Sequence, residues 1–162
     1  MGYIKKRLPQ EIGNIFVFTF VRNPLDRIVS LYRNKFLDHQ KISQDGFVYE
    51  NYLGGIIGCD DDFLTFCRKI SKIPDKFADG HFKSQSALVY SNNHKVDFIG
   101  KFESFNSDFE LLINKIGLNT PSQSNKTNSV IPSPEITEEI RALVYARYEK
   151  DYKNFYPEII LI

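Results

Sequence analysis

Apolar positions change their spacing at residue 22. Ile15 to Val21 is a short, aromatic and β-branched run, bounded by Gly13-Asn14 and by Asn23-Pro24, and it predicts a buried strand. From residue 24 to 37 the spacing becomes helical. Leu25, Ile28, Val29, Tyr32 and Phe36 fall on one arc, and Arg27, Ser30 and Asn34 fall together on the other side. Pro24 suits the first helical position and Asn23 the N-cap before it.

Beyond this unit, residues 39–60 are mixed and glycine-containing and read as mostly loop. A short helix follows Asp60-Asp61-Asp62, with Phe63, Phe66, Cys67 and Ile70 as its apolar face, and Pro74 ends that region. The stretch HFKSQSALVY begins as loop and enters a short helix near Ser84. A second strand covers Val96 to Ile99. Ser107 with Glu110 makes a capping box for a helix that runs to Gly117, which suits the C′ position. Residues 119–133, NTPSQSNKTNSVIPS, form the low-complexity segment, and a loop of that length is a functional lid or disordered. Ser133 and Pro134 then open the longest helix, whose buried side carries Ile136, Ile140, Leu143, Val144, Tyr148, Tyr152 and Phe155. Strand–helix alternation first and helices later predict the α/β class: a small parallel sheet flanked by helices, mostly helical in the C-terminal half.

Composition narrows the chemistry. A chain of 162 residues suits a single domain over 1–162, and 42% hydrophobic with 14% aromatic residues argues for a folded core. The formal charge of +1 gives no global basic field for nucleic acid or an anionic membrane, so an anionic ligand has to be held by a local site. Cys59 and Cys67 are eight apart and read as buried small hydrophobes. His39, His81 and His94 lack metal-ligand spacing, so no metal is expected. No apolar run approaches a membrane span. The basic N-terminus lacks the apolar region of a signal peptide, and Lys6 stands where myristoylation wants Ser or Thr.

The strand-to-helix corner at Arg22 carries the functional signal. A helix N-terminus offers unpaired N–H groups and about half a positive charge. Arg22 ends the strand beside it, and Arg27 and Ser30 line one face of the helix. Two guanidinium groups and a hydroxyl at one place suit a phosphate, which arginine matches in bidentate fashion. The carboxyl end of a parallel strand is also where α/β folds bind ligands. The plain alternative is a helix start in which Arg27 pairs with Asp26 or Asp38 and Ser30 is solvated.

Arg-x-Pro-x-x-Arg-x-x-Ser-x-Tyr, here Arg22, Pro24, Arg27, Ser30 and Tyr32, resembles the 3′-phosphate-binding motif of the carbohydrate sulfotransferases of family 2. Three further blocks follow in order. GHFKSQ (Gly80 to Gln85) resembles the family's His-Trp-x-Pro-Gln element, with Phe82 for the Trp and Ser84 for the Pro. VDFIGKFESFNSDFELLINKIGL (Val96 to Leu118) resembles its DFIGKFE…DF block, and YARYEKDYKNF (Tyr145 to Phe155) its C-terminal helix. The resemblance implies a P-loop-like sulfotransferase fold, 3′-phosphoadenylyl sulfate (PAPS) as donor and a carbohydrate hydroxyl as acceptor. It places Arg22 and Ser30 on the 3′-phosphate, gives Arg27 a motif position whose role is structural or cofactor-binding, and makes Lys126 in the Ser-rich segment a candidate nucleotide contact, against a plain solvated lysine. It aligns His81 with a substrate-contacting histidine, a catalytic candidate; an ordinary loop histidine is the other reading. Glu103 reads as structural.

The family also uses a Lys/Gly/Ser/Thr-rich 5′-phosphosulfate loop upstream of the Arg-x-Pro motif, where backbone amides neutralise developing charge. The 21 residues before Arg22 contain none, so the expectation is a partial sulfotransferase fold that is inactive alone. Three origins fit: a truncated form of a longer protein, a degenerate nucleotide binder, or a site completed by another chain. The alternative function is a non-catalytic nucleotide-binding or structural module. No GxxxxGK[ST] occurs, which sets aside a kinase or NTPase. A cytoplasmic location is expected, or a membrane-anchored one if an N-terminal segment precedes the chain.

Overall fold

A computed structural model describes residues 15–37, 55–58, 60–91, 95–118 and 132–159. The loop expected over 39–60, for the most part, together with Cys59 and Lys126, lies outside these residues. Strand β1 (Phe18–Val21) pairs in parallel with β2 (Phe98–Lys101), in the register Phe18 to Phe98 through Val21 to Lys101. Both strands are shorter or later than the apolar pattern predicts. The Asp97 carboxylate accepts from the Val17 N–H at 2.9 Å, so a side chain anchors the chain just before the ladder begins. The later register of β2 sets Gly100 against Phe20, where an added Cβ would lie 2.4 Å from the ring. The bare glycine lets Phe20 lie across the sheet toward Phe105, with ring centroids 4.8 Å apart.

Helix α1 (Pro24–Tyr32) starts as expected. The Asn23 side-chain oxygen accepts from the N–H groups of Leu25 and Asp26, which Pro24 leaves room for by having none of its own. The helix does not stay α to residue 37. It widens into a π turn over Arg33–Leu37, which still buries Phe36. Helix α2 (Phe63–Ile70) buries Phe63, Phe66, Cys67 and Ile70, the predicted face, and Asp62 caps it through the Thr65 N–H at 2.7 Å. Burial pushes the Cys67 thiol up to about 12, which leaves it a small hydrophobe. Helix α3 (Gln85–Val89) is capped by Ser84, close to the predicted entry point.

Two helix starts differ from expectation. A 3₁₀ turn (Phe102–Ser104) leads β2 straight into α4 (Phe105–Ile116), so Ser107 sits inside the first turn and donates to the Ser104 carbonyl rather than capping. Asp108 serves the strand instead, accepting from the Lys101 N–H. Gly117 closes α4 in the left-handed region at φ 71°, as expected. The next helix, α5 (Glu138–Arg147), opens at Thr137, not at Ser133-Pro134. The Thr137 hydroxyl accepts from the Ile140 N–H, and Glu138 and Glu139 favour the positive end of the helix dipole. This stretch breaks at Tyr148 and resumes as α6 (Glu149–Phe155), so α4 is the longest described helix. The predicted stripe is buried across the break, with Ile140, Val144, Tyr148, Tyr152 and Phe155 in the core.

Aromatic rings join α1 and its π turn to α2 and to the loop at Phe82. Phe66 is fully buried and its ring lies 4.9 to 6.3 Å from those of Tyr32, Phe36, Phe63 and Phe82. Truncating it opens a cavity that these rings cannot all fill. Phe66→Ala is expected to lower unfolding free energy by about 3–5 kcal/mol in urea denaturation.

Candidate functional site

Arg22 lies at the C-terminal end of β1 and is held in two ways. The Gln85 side chain accepts from the Arg22 N–H at 2.8 Å and donates to the Arg22 carbonyl at 2.7 Å, so the amide pairs with the main chain as a neighbouring strand would. The Arg22 guanidinium lies 4.8 Å from the centre of the Phe102 ring, a cation–π contact that limits where the fork points. The next residue is fixed as well. Glu103 accepts from the Asn23 N–H with one carboxylate oxygen and from the Tyr156 hydroxyl with the other. Burial and this hydrogen bond raise the Tyr156 pKa, and Glu103 has the structural role expected of it.

Arg27 faces a different partner. Its Nη1 donates to the Lys83 carbonyl at 2.8 Å and its Nη2 to the Gly80 carbonyl at 2.9 Å. The pairing with Asp26 or Asp38 raised as an alternative is not what engages these two nitrogens. Burial lowers the Arg27 pKa, yet a guanidinium this basic stays charged. Arg27 therefore braces the loop that carries His81. The Tyr148 hydroxyl donates to the Phe82 carbonyl in the same loop. Asp151, fully buried, accepts from the N–H groups of Gln85 and Ser86 at the start of α3.

Between α1 and this loop lies a cavity of about 420 Å³. Arg22, Arg27, Ser30, Asn34, Lys35 and His81 line it, with Leu31 and Gly80 completing the wall. Three of these side chains are cations and none is a carboxylate, so the cavity suits an anion. The structure thus brings Arg22, Arg27, Ser30 and His81 into one place. His81 is exposed at this cavity, with its Nδ1 3.3 Å from an Asp79 oxygen that also accepts from its main-chain N–H. No group of three or more His, Cys, Asp or Glu able to hold a metal occurs among the described residues. No helix among them is long and apolar enough to cross a membrane.

Sequence reasoning placed Tyr148 in the core without its hydroxyl's bond to the Phe82 carbonyl, and it assigned no role to Asp151. The signal for Asp151 was present: it shares a helix face with Tyr148, Tyr152 and Phe155, and a carboxylate on a buried stripe needs donors.

A parallel strand followed at once by an arginine, a turn through Asn-Pro and a cavity lined by cations and a hydroxyl define an α/β protein with a cationic corner. The model of the sulfotransferase family matches residues 4–157, and the chain belongs to that family, in its family-2 type. Carbohydrate sulfotransferase 14 of Danio rerio is 28% identical over 121 residues, covering 67% of this chain and 33% of that protein. The chain thus spans about a third of the length of this curated relative. No solved structure matches the chain.

Behind the site, Asp75 ties three elements together. It accepts from the Ser84 hydroxyl and N–H and from the Arg147 guanidinium. Partial burial on its own would raise the Asp75 pKa, but these hydrogen bonds and the Arg147 charge outweigh it and hold the carboxyl below its ordinary value of 3.8. A depressed carboxylate stabilises the fold above its unfolded pKa and loses that contribution as pH falls through the folded one. Wild-type stability is therefore expected to drop below about pH 4, and Asp75→Asn to show a shallower drop, in urea titrations at pH 3 to 6.

Proposed function

We propose that this chain supplies the 3′-phosphate half of a PAPS site in a protein that transfers a sulfuryl group to a carbohydrate hydroxyl. The observation that carries this reading is the cavity in which Arg22, Arg27 and Ser30, the family's motif residues, meet with no carboxylate among the lining side chains. The residues fit the group: the Arg22 fork and the Ser30 hydroxyl donate to phosphate oxygens, and a main chain locked by Gln85 keeps the fork from drifting. Arg27 adds charge to the cavity while two of its nitrogens hold the Gly80–Lys83 loop. Lys126 is a further nucleotide contact in this reading. PAPS, when bound, supplies the sulfuryl group.

His81 is the residue proposed to touch the acceptor, since it is exposed at the same cavity and Asp79 can orient its ring. The carbohydrate acceptor is supported by the named relative, which is about three times as long as the stretch of it that matches.

Calorimetry with adenosine 3′,5′-bisphosphate tests the site. Losing a charge-assisted hydrogen-bonding group costs about 1.5–3 kcal/mol, so Arg22→Ala should weaken binding by roughly ten- to a hundredfold. Ser30→Ala, which removes one neutral donor, should weaken it by less, about threefold to tenfold. Equal heats for wild type and Arg22→Ala, or no heat with wild type, would overturn the assignment.

A further inference from the structure

We propose that Asp151 is a positioning residue for the anion site, acting through Gln85 on Arg22. The inference rests on the reading of Arg22 as a phosphate ligand. Asp151 has no exposed surface. A carboxylate in the core is costly unless donors surround it. Its two oxygens accept from the N–H groups of Gln85 at 2.8 Å and Ser86 at 2.7 Å, the first two residues of α3. Those groups have no partner within the helix, so the carboxylate and the helix start satisfy each other.

The consequence reaches the cavity. Fixing the Gln85 main chain fixes where its side chain begins, and the Gln85 amide makes both of its contacts to one residue, Arg22. Two hydrogen bonds of opposite sense leave that residue little freedom to rotate. The path from Asp151 through Gln85 to the Arg22 main chain thus has three hydrogen bonds of 2.7 to 2.8 Å, with the Ser86 N–H bond to Asp151 beside it, across 129 positions of sequence. Asn154, one turn along α6, donates to the Ser86 hydroxyl and holds the same helix start from beside it.

Asn is the discriminating replacement. It keeps the size of Asp151 but can accept from one N–H only, and it turns an amino group toward the other. Asp151→Asn should weaken adenosine 3′,5′-bisphosphate binding about tenfold. Gln85→Met, which keeps length and removes both contacts, should weaken it similarly. The double variant should be no weaker than the worse single one, because both changes cut one path. In 15N spectra without ligand, the Arg22 amide should shift in both variants.

Independent, multiplying losses in the double variant would overturn the relay, as would wild-type affinity in Asp151→Asn. If Asp151→Asn does not fold, Gln85→Met decides: unchanged affinity and an unshifted Arg22 amide overturn the proposal. If wild type shows no binding, the phosphate reading fails, and the Arg22 amide shift alone then tests the positioning, an unshifted signal sinking it.

Discussion

The site depends on how one loop satisfies its backbone. Residues 80–84 lie outside strand and helix ladders and Gln85 and Ser86 open α3, so several of their main-chain groups need partners from elsewhere. Side chains from α1 and from the C-terminal helices provide them. Arg27 from α1 takes the carbonyls of Gly80 and Lys83, Tyr148 takes that of Phe82, and Asp151 from α6 takes the N–H groups of Gln85 and Ser86. Each of these partners costs desolvation, and each is repaid only if the loop sits in one place. An irregular segment is thereby held as firmly as a helix, which a wall of a binding cavity requires.

This arrangement divides the labour of the two arginines in the motif. They are five residues apart, one immediately after the last residue of β1 and one in the first turns of α1. Arg22 keeps its fork on the cavity side, stacked on Phe102, while its main chain is engaged by Gln85. Arg27 spends two nitrogens on carbonyls and shapes the opposite wall. Both charges still face one volume. A lysine at either position would lose this, since its single ammonium lacks the planar fork that reaches two carbonyls three residues apart.

Much of this corner was legible in the sequence because it is local. The Asn23 cap, the Pro24 start, the buried face of α1 and the Ser84 entry to α3 all follow from neighbours within four residues. The same local logic placed Phe63, Phe66, Cys67 and Ile70 in the core. Two helix starts were misplaced by the element next to them. The Ser107 capping box failed because β2 runs without pause into a 3₁₀ turn and α4, so the helix begins two residues before Ser107. Ser133-Pro134 lost to Thr137 with its acidic first turn, a better-supported N-terminus three residues after Pro134. The part played by Gln85 was beyond reach because Arg22 lies 63 positions away, and for Asp151 the buried stripe signalled a need for donors but not which ones, since they lie 65 and 66 positions away.

The π turn after α1 adds a last constraint on what the cavity holds. In a regular α-helix Lys35, five residues beyond Ser30, would point about 140° away from it. A turn closed from residue i to i+5 brings those two positions toward one face. Arg33–Leu37 adopts that wider turn, and Ser30, Asn34 and Lys35 all line the cavity while Phe36 stays buried against Tyr32 and Phe66. Phe36 stays in the core through the wider turn, and Lys35 beside it lines the cavity. Positive charge therefore extends along the cavity past the motif serine, which a tight pocket for one phosphate group would not need.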